Sequence, residues 1–314
     1  MPLDTVTLTT VAALFAVVSG MNDGGALLAT GLKLPSIRPA TGIMTMVIMI
    51  ALIPLMTHRV ALTFVTKLAS FEGPGAKTAM TVAVLSALSV VTFLSHRGRP
   101  TSLTLAIVGG LTGAGLGWGL TVSGRAVALV LAIGLAAPFV GALGAWVVSR
   151  LLQHLSSSTA LASWHRVGFM VQCIAYAAND GQKMLAVFMI ALGFSGAPLG
   201  VTSLISILFG MGALYGMPRA GRTLSREIIV SRPLHGVAAE LASGVTVIVC
   251  ATAGAPVSMT QSIAGGLIGA GVSQGGGRVR WYAALKIVIA WALTLPASAI
   301  LAGVAAFVVK GLTS

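Results

Sequence analysis

A chain of 314 residues that is 56% hydrophobic and only 8% charged cannot cover a water-facing surface, because soluble domains carry about 25% charged residues. Its mean hydropathy of +0.99 and its long uncharged runs point to membrane-spanning helices rather than to the weak alternation of a barrel. The formal net charge of +13 comes mostly from Lys and Arg between the apolar runs, which fits the positive-inside rule and excludes a nucleic-acid surface.

In chain order, residues 5–30 form the first predicted span. MPLDTVTLTT has no basic leader, so this span is expected to be retained rather than cleaved. The run Gly20-Met21-Asn22-Asp23-Gly24-Gly25 interrupts it. Three glycines around an Asn-Asp are expected to weaken or break the helix there. Lys33 and Arg38 follow in a loop. Spans are predicted at 40–57 and 78–95, joined by a polar link with Arg59, Lys67, Glu72 and Lys77. The basic run His96-Arg97-Gly98-Arg99 leads into a Pro-Ser-Thr-Gly stretch at 100–119, and 125–149 makes a span with Pro138 inside it. The polar, Ser-rich run 150–166 marks the boundary, giving a first repeat over 1–150, a linker over 151–166 and a second repeat over 167–314. The order then recurs: Asn179-Asp180 within 167–192, a span at 198–216, and a loop with Arg219, Arg222, Arg226 and Arg232. A span at 236–252, a second Pro-Ser-Thr-Gly stretch at 256–273 and a last span at 281–309 complete the chain.

The two stretches are the clearest sign of duplication. PTSLTLAIVGGLTGAGL from Pro100 and PVSMTQSIAGGLIGAGV from Pro256 agree at ten of seventeen positions, 156 residues apart. The two Asn-Asp pairs share nearly that offset. A duplicated hydrophobic chain with polar interruptions at matching places is the mark of a secondary transporter. The expected fold is all-α and polytopic, with two inverted-topology repeats and broken or re-entrant helices at the centre. If each stretch crosses the membrane once in net, each half has five crossings. One side then holds 12 Lys or Arg and the other 5. If the stretches are re-entrant with no net crossing, the split is 10 to 7. The first arrangement obeys the positive-inside rule better and puts both termini outside the cell membrane.

Asp23 and Asp180 carry the central chemistry. A carboxylate near the midplane costs about 3 kcal/mol or more and needs a partner, whether Na⁺, a proton or a Lys. Asn22, Asn179 and freed carbonyls supply hard oxygen ligands suited to a small cation. Ser102, Thr104, Ser258 and Thr260 follow prolines at expected half-helix starts, where hydroxyls and unpaired N–H groups make an anion site. The plainer role for one such copy is N-capping; two matching copies favour a pair of helix ends enclosing one oxyanion. Thr101 and Gln261 flank these residues. Gln182 and Lys183 are accessory candidates, with Lys183 near the anion or paired with a carboxylate. The Gly-Gly-Leu and Gly-Ala-Gly runs suit close helix packing. Glu240 reads as half of an interfacial ion pair, and the five histidines as loop or span-end residues. Cys173 and Cys250 read as small buried hydrophobes. Trp164, Trp281 and Tyr282 read as interfacial anchors. There is no nucleophile–base pair and no Walker motif to support a membrane enzyme or a nucleotide-driven pump.

These motifs resemble those of the inorganic phosphate transporter family, the PiT-type phosphate permeases. The matching residues are Met21-Asn22-Asp23, Ala178-Asn179-Asp180-Gly181-Gln182-Lys183, Pro100-Thr101-Ser102-Leu103-Thr104 and Pro256-Val257-Ser258-Met259-Thr260, with a closing run Ala290-Trp291-Ala292-Leu293-Thr294-Leu295-Pro296. The family's His after each Thr is replaced by Leu105 and Gln261, and an Asn usual three residues after the first Asp is Ala26. The resemblance implies phosphate uptake coupled to Na⁺ or H⁺, with no further cofactor and with a homodimer as the family's assembly. Sulfate or another oxyanion is the alternative cargo, and a passive anion channel the alternative mechanism.

Overall fold

In the computed structural model the described residues are 3–32, 35–96, 101–155, 157–227 and 232–313. Lys33, Arg97, Arg99 and Pro100 lie outside them, as do the side chains of Arg219, Arg222, Arg226 and Arg278. Helix α1 (Leu3–Ser19) passes through a π turn (Gly20–Gly24) into α2 (Gly25–Gly31). The first half continues with α3 (Pro39–Met56), α4 (Arg59–Leu62) running into a π segment (Thr63–Leu68), α5 (Ala76–His96), α6 (Leu103–Trp118) and α7 (Gly124–Leu155). In the second half α8 (Ser158–Tyr176) passes through a π turn (Ala177–Gly181) into α9 (Gln182–Leu192), followed by α10 (Leu199–Glu227), α11 (Pro233–Thr252), α12 (Met259–Val272) and α13 (Trp281–Thr313). Among the described residues the β-structure is a single bridge, Ala69 to Val122.

Seven stretches are long and apolar enough to cross a membrane, from Leu3–Leu28 to Trp281–Leu312. The chain is a multi-pass membrane protein. Helices α6 and α12 are shorter, at 16 and 14 residues. The α8–α9 path is less apolar because it carries Asn179, Asp180, Gln182 and Lys183.

Two expectations change here. The Asn-Asp segments do not break their helices; each widens into a π turn. The Gly25 N–H reaches back to the Gly20 carbonyl, so the backbone stays paired where lipid offers no partner. The run 150–166 is also mostly helical rather than a linker. Helix α7 extends to Leu155, and Ser157 caps α8 by accepting from the Ala160 N–H at 3.3 Å.

Helix directions follow from which residues touch. Gly212 and Gly216 of α10 lie against the carbonyls of Val17 and Met21, so α10 runs parallel to α1. Gly42 meets Phe169, and Gly181 meets Ile50 and Pro54, so α8–α9 runs parallel to α3. Gly193 ends α9 in a left-handed turn (φ +70°), and the chain reverses into α10. Helices α1 and α8, which hold matching places in the two halves, therefore run in opposite directions. The last helix of each half docks on the other half's short helix. Gly109, Gly113 and Gly117 of α6 meet the carbonyls of Leu295, Ala299 and Gly303 of α13; Gly265 and Gly269 of α12 meet those of Pro138 and Ala142 of α7. Lipid tails are as apolar as leucine, so such close backbone approach is what holds these helices together.

Lys77 Nζ bonds Thr5 Oγ1 (2.7 Å) and the Ala191 carbonyl (3.0 Å), and Lys310 Nζ bonds the Trp118 carbonyl (2.6 Å). With Gly75 packed on the Trp118 ring, these contacts put both ends of the described chain on one face. The Gly75–Lys77 end of the 58–77 link lies on that face, while its start reaches the interior, where Val60 bonds Gln182 and Thr63 the Gly254 carbonyl. Helix α5 leaves that face and α6 ends on it at Trp118.

Candidate functional site

The starts of α6 and α12 meet inside the bundle. Each begins at a serine whose hydroxyl accepts from the backbone three residues on: Ser102 from the Leu105 N–H (3.2 Å), Ser258 from the Gln261 N–H (3.3 Å). Both serines are thus N-caps, the plainer of the two roles open to them. The threonines join the helix ends. Thr104 Oγ1 donates to the Val257 carbonyl at 3.0 Å, and Thr260 Oγ1 to the Thr101 carbonyl at 3.4 Å. Each bond is the other's image under the 156-residue offset. The Thr260 hydroxyl also lies 2.9 Å from that of Ser258. All six of Thr101, Ser102, Thr104, Ser258, Thr260 and Gln261 are buried. Two helix N-termini, each with a partial positive charge, thus face one region of low dielectric.

The second Asn-Asp closes on this junction. Asn179 pairs with the Val257 backbone as one amide pairs with another: its Nδ2 donates to the carbonyl (2.7 Å) and its Oδ1 accepts from the N–H (3.2 Å). Lys183 Nζ donates to Asp180 Oδ1 (2.7 Å), Thr104 Oγ1 (2.6 Å) and the Val257 carbonyl (2.9 Å). Of the two places open to Lys183, beside an anion or on a carboxylate, the structure takes the second. Gln182 does not enter the cluster. Its Oε1 accepts from the N–H groups of Val60 (2.7 Å) and Ala61 (3.3 Å), which fixes the first turn of α4.

The first Asn-Asp is more loosely held. Asn22 Nδ2 donates to Asp23 Oδ1 at 2.9 Å, and the residue matching Lys183 is Ala26. Among the described residues Asp23 has no ion-pair partner within 4 Å, whereas Asp180 has Lys183. Asp23 is nonetheless buried, near enough to Asp180 and Lys183 for their charges to act on it.

Tyr176 was not singled out from the sequence. It is fully buried, its hydroxyl has no hydrogen-bond partner among the described residues, and the charges of both aspartates act on it. The signal was its spacing: four residues before Asp180, on the same helix face. Two other assignments shift. His165 is buried inside α8 rather than in a loop, and His235 stands at the start of α11, a span end as expected, but buried. Glu240 does form an ion-pair contact, His165 Nε2 to Oε1 at 3.5 Å, but it is buried, with Ser36 Oγ 2.6 Å from His165 Nδ1. Both cysteines are free; Cys173 is buried as expected, but Cys250 is only half-buried.

Comparison with known proteins points to one family. The model of the phosphate transporter family matches residues 162–302. A probable low-affinity inorganic phosphate transporter of Mycobacterium tuberculosis is 33% identical over 218 residues, covering 63% of this chain. The chain spans about half of that relative's length, 52%. A relative of the same description from Rhizobium meliloti is 31% identical over 230 residues, covering 67% of this chain and 68% of its own. The fold is shared with a solved structure of the sodium-dependent phosphate transporter, at a TM-score of 0.85 and 16% identity, over 98% of this chain and 99% of that one. With its paired Asn-Asp and Pro-x-Ser-x-Thr motifs gathered at one buried junction, the chain belongs to the phosphate transporter family.

Proposed function

We propose that this protein is a secondary active transporter of inorganic phosphate, coupled to a cation, Na⁺ or H⁺, and built from two inverted repeats in the cell membrane. The observation that carries the reading is the meeting of the α6 and α12 N-termini beside two buried aspartates. Phosphate sits between the helix ends, held by backbone N–H groups with Thr101, Ser102, Thr104, Ser258, Thr260 and Gln261. Asn22, Asp23, Asn179 and Asp180 hold the cation beside it. Each ligand offsets the other's charge, so binding of either favours the other, a reciprocal coupling. The repeats rock around the fixed site to expose it to each side in turn. The names of the relatives support phosphate as cargo. The excess of Lys and Arg on the face away from the termini supports an orientation with both termini outside.

Uptake of radiolabelled phosphate into proteoliposomes, with Na⁺ and pH gradients imposed separately, tests this. Accumulation driven by one of the two gradients is the expected result. Uptake indifferent to both would make the protein a passive channel. Suppression of phosphate uptake by equimolar sulfate, with sulfate itself accumulated, would reassign the cargo.

A further inference from the structure

The two halves of the site differ at several motif positions, Leu105 against Gln261 and Gly25 against Gln182 among them, but at one the difference is a charge. Position 183 is Lys and its counterpart 26 is Ala. An ammonium group has three N–H donors, and those of Lys183 are taken by Asp180 Oδ1, Thr104 Oγ1 and the Val257 carbonyl at 2.6–2.9 Å. All three acceptors are oxygens, and Lys183 is buried. A carboxylate, a hydroxyl and a carbonyl are also the set that holds a small hard cation. Under the repeat's offset this set maps onto Asp23, Thr260 Oγ1 and the Thr101 carbonyl; among the described residues no Lys or Arg lies within 4 Å of Asp23. The Thr260 contact to the Thr101 carbonyl is the longer of the pair, and among the described residues the buried Thr101 hydroxyl has no partner.

Resting on the transport reading above, we propose that Lys183 is a tethered cation that permanently fills one of two equivalent cation positions, so that each phosphate moves with one mobile cation fewer than a fully symmetric site would require. The ammonium neutralises Asp180 and cross-links α9 to the starts of α6 and α12 throughout the cycle. Of the two aspartates assigned to the cation above, Asp180 then holds the tethered ammonium and Asp23 the mobile cation. Because its donors all point at protein oxygens, Lys183 sets the charge balance of the site and does not hold the anion.

The test is the net charge moved per phosphate, read from the reversal potential of wild-type and variant protein in proteoliposomes under a fixed phosphate gradient. In Lys183→Met a mobile cation takes the ammonium's place, and the charge moved per phosphate rises by one. Thermal stability of this variant also becomes dependent on the coupling cation, by more than in wild type. The reciprocal variant Ala26→Lys lowers the charge per phosphate by one, which tests the idea even if Lys183→Met fails to fold. An unchanged charge per phosphate in whichever variant folds and transports overturns the proposal. So does loss of uptake at every cation concentration by a folded Lys183→Met protein that still fails to gain cation-dependent stability. Failure of wild-type protein to accumulate phosphate would instead overturn the transport reading itself.

Discussion

Asn179 and Asn22 occupy matching places in the two halves and are engaged differently. Asn179 binds the Val257 backbone through both ends of its amide, while the recorded side-chain bond of Asn22 is to its neighbour Asp23. The aspartates differ in the same sense, since only Asp180 has a lysine. Removing one partner of a buried ion pair costs about 3–5 kcal/mol, because the other charge is left uncompensated. Asp180→Ala should therefore lower the thermal unfolding midpoint in detergent far more than Asp23→Ala. Asp23→Asn keeps the side chain's shape and should leave the protein folded while abolishing cation-dependent phosphate uptake. Cation-coupled uptake at the wild-type rate by that variant would remove Asp23 from the cation site. The aspartates were legible in the sequence because a carboxylate within an apolar span is costly and these occur twice. The contacts of Lys183 were not, because Thr104 and Val257 lie 79 and 74 residues away in the chain. Spacing shows that a residue is polar and central; it does not show which way its charge turns.

At the level of helices, the glycine runs read as packing surfaces and act as such. Gly113 lies against the Ala299 carbonyl and Gly269 against that of Ala142. A side chain at either place collides with backbone, which cannot move aside as a flexible side chain could. Gly113→Leu and Gly269→Leu should each destabilise the protein by about 1–3 kcal/mol or more, seen as a lower unfolding midpoint. Gly124, at the open start of α7 with nothing within 4 Å, should accept Ala within about 0.5 kcal/mol. The π turns were only half legible. Gly20, Gly24 and Gly25 signalled a departure from the α-helix, and a break was the natural expectation. A single wider turn answers the same demand with fewer unpaired groups, since it keeps an i→i−5 bond where a break would strand several donors and acceptors.

For the molecule as a whole, the charge count over loops favours five passes per half, an even total, and the contacts of Lys77 and Lys310 put both ends of the described chain on one face, as an even total requires. Cysteine labelling tests its orientation. With Cys173 and Cys250 replaced, single cysteines at Asp4 and Leu312 should react with a membrane-impermeant reagent from one side. A cysteine at Ala160 should react only from the other. The exchange of helices between halves bears on how the protein is made. Helix α7 is complete long before its partner α12 is synthesised, and α6 waits longer still for α13. Domains tend to fold as they emerge, N-terminal first; here the first half cannot, because its last helix has no surface of its own to dock on. It must sit in the bilayer with its small-residue face against lipid until α11 and α12 arrive. Assembly therefore follows insertion rather than accompanying it. Two separately encoded halves, divided at Ser156, should each be degraded when made alone and persist when made together.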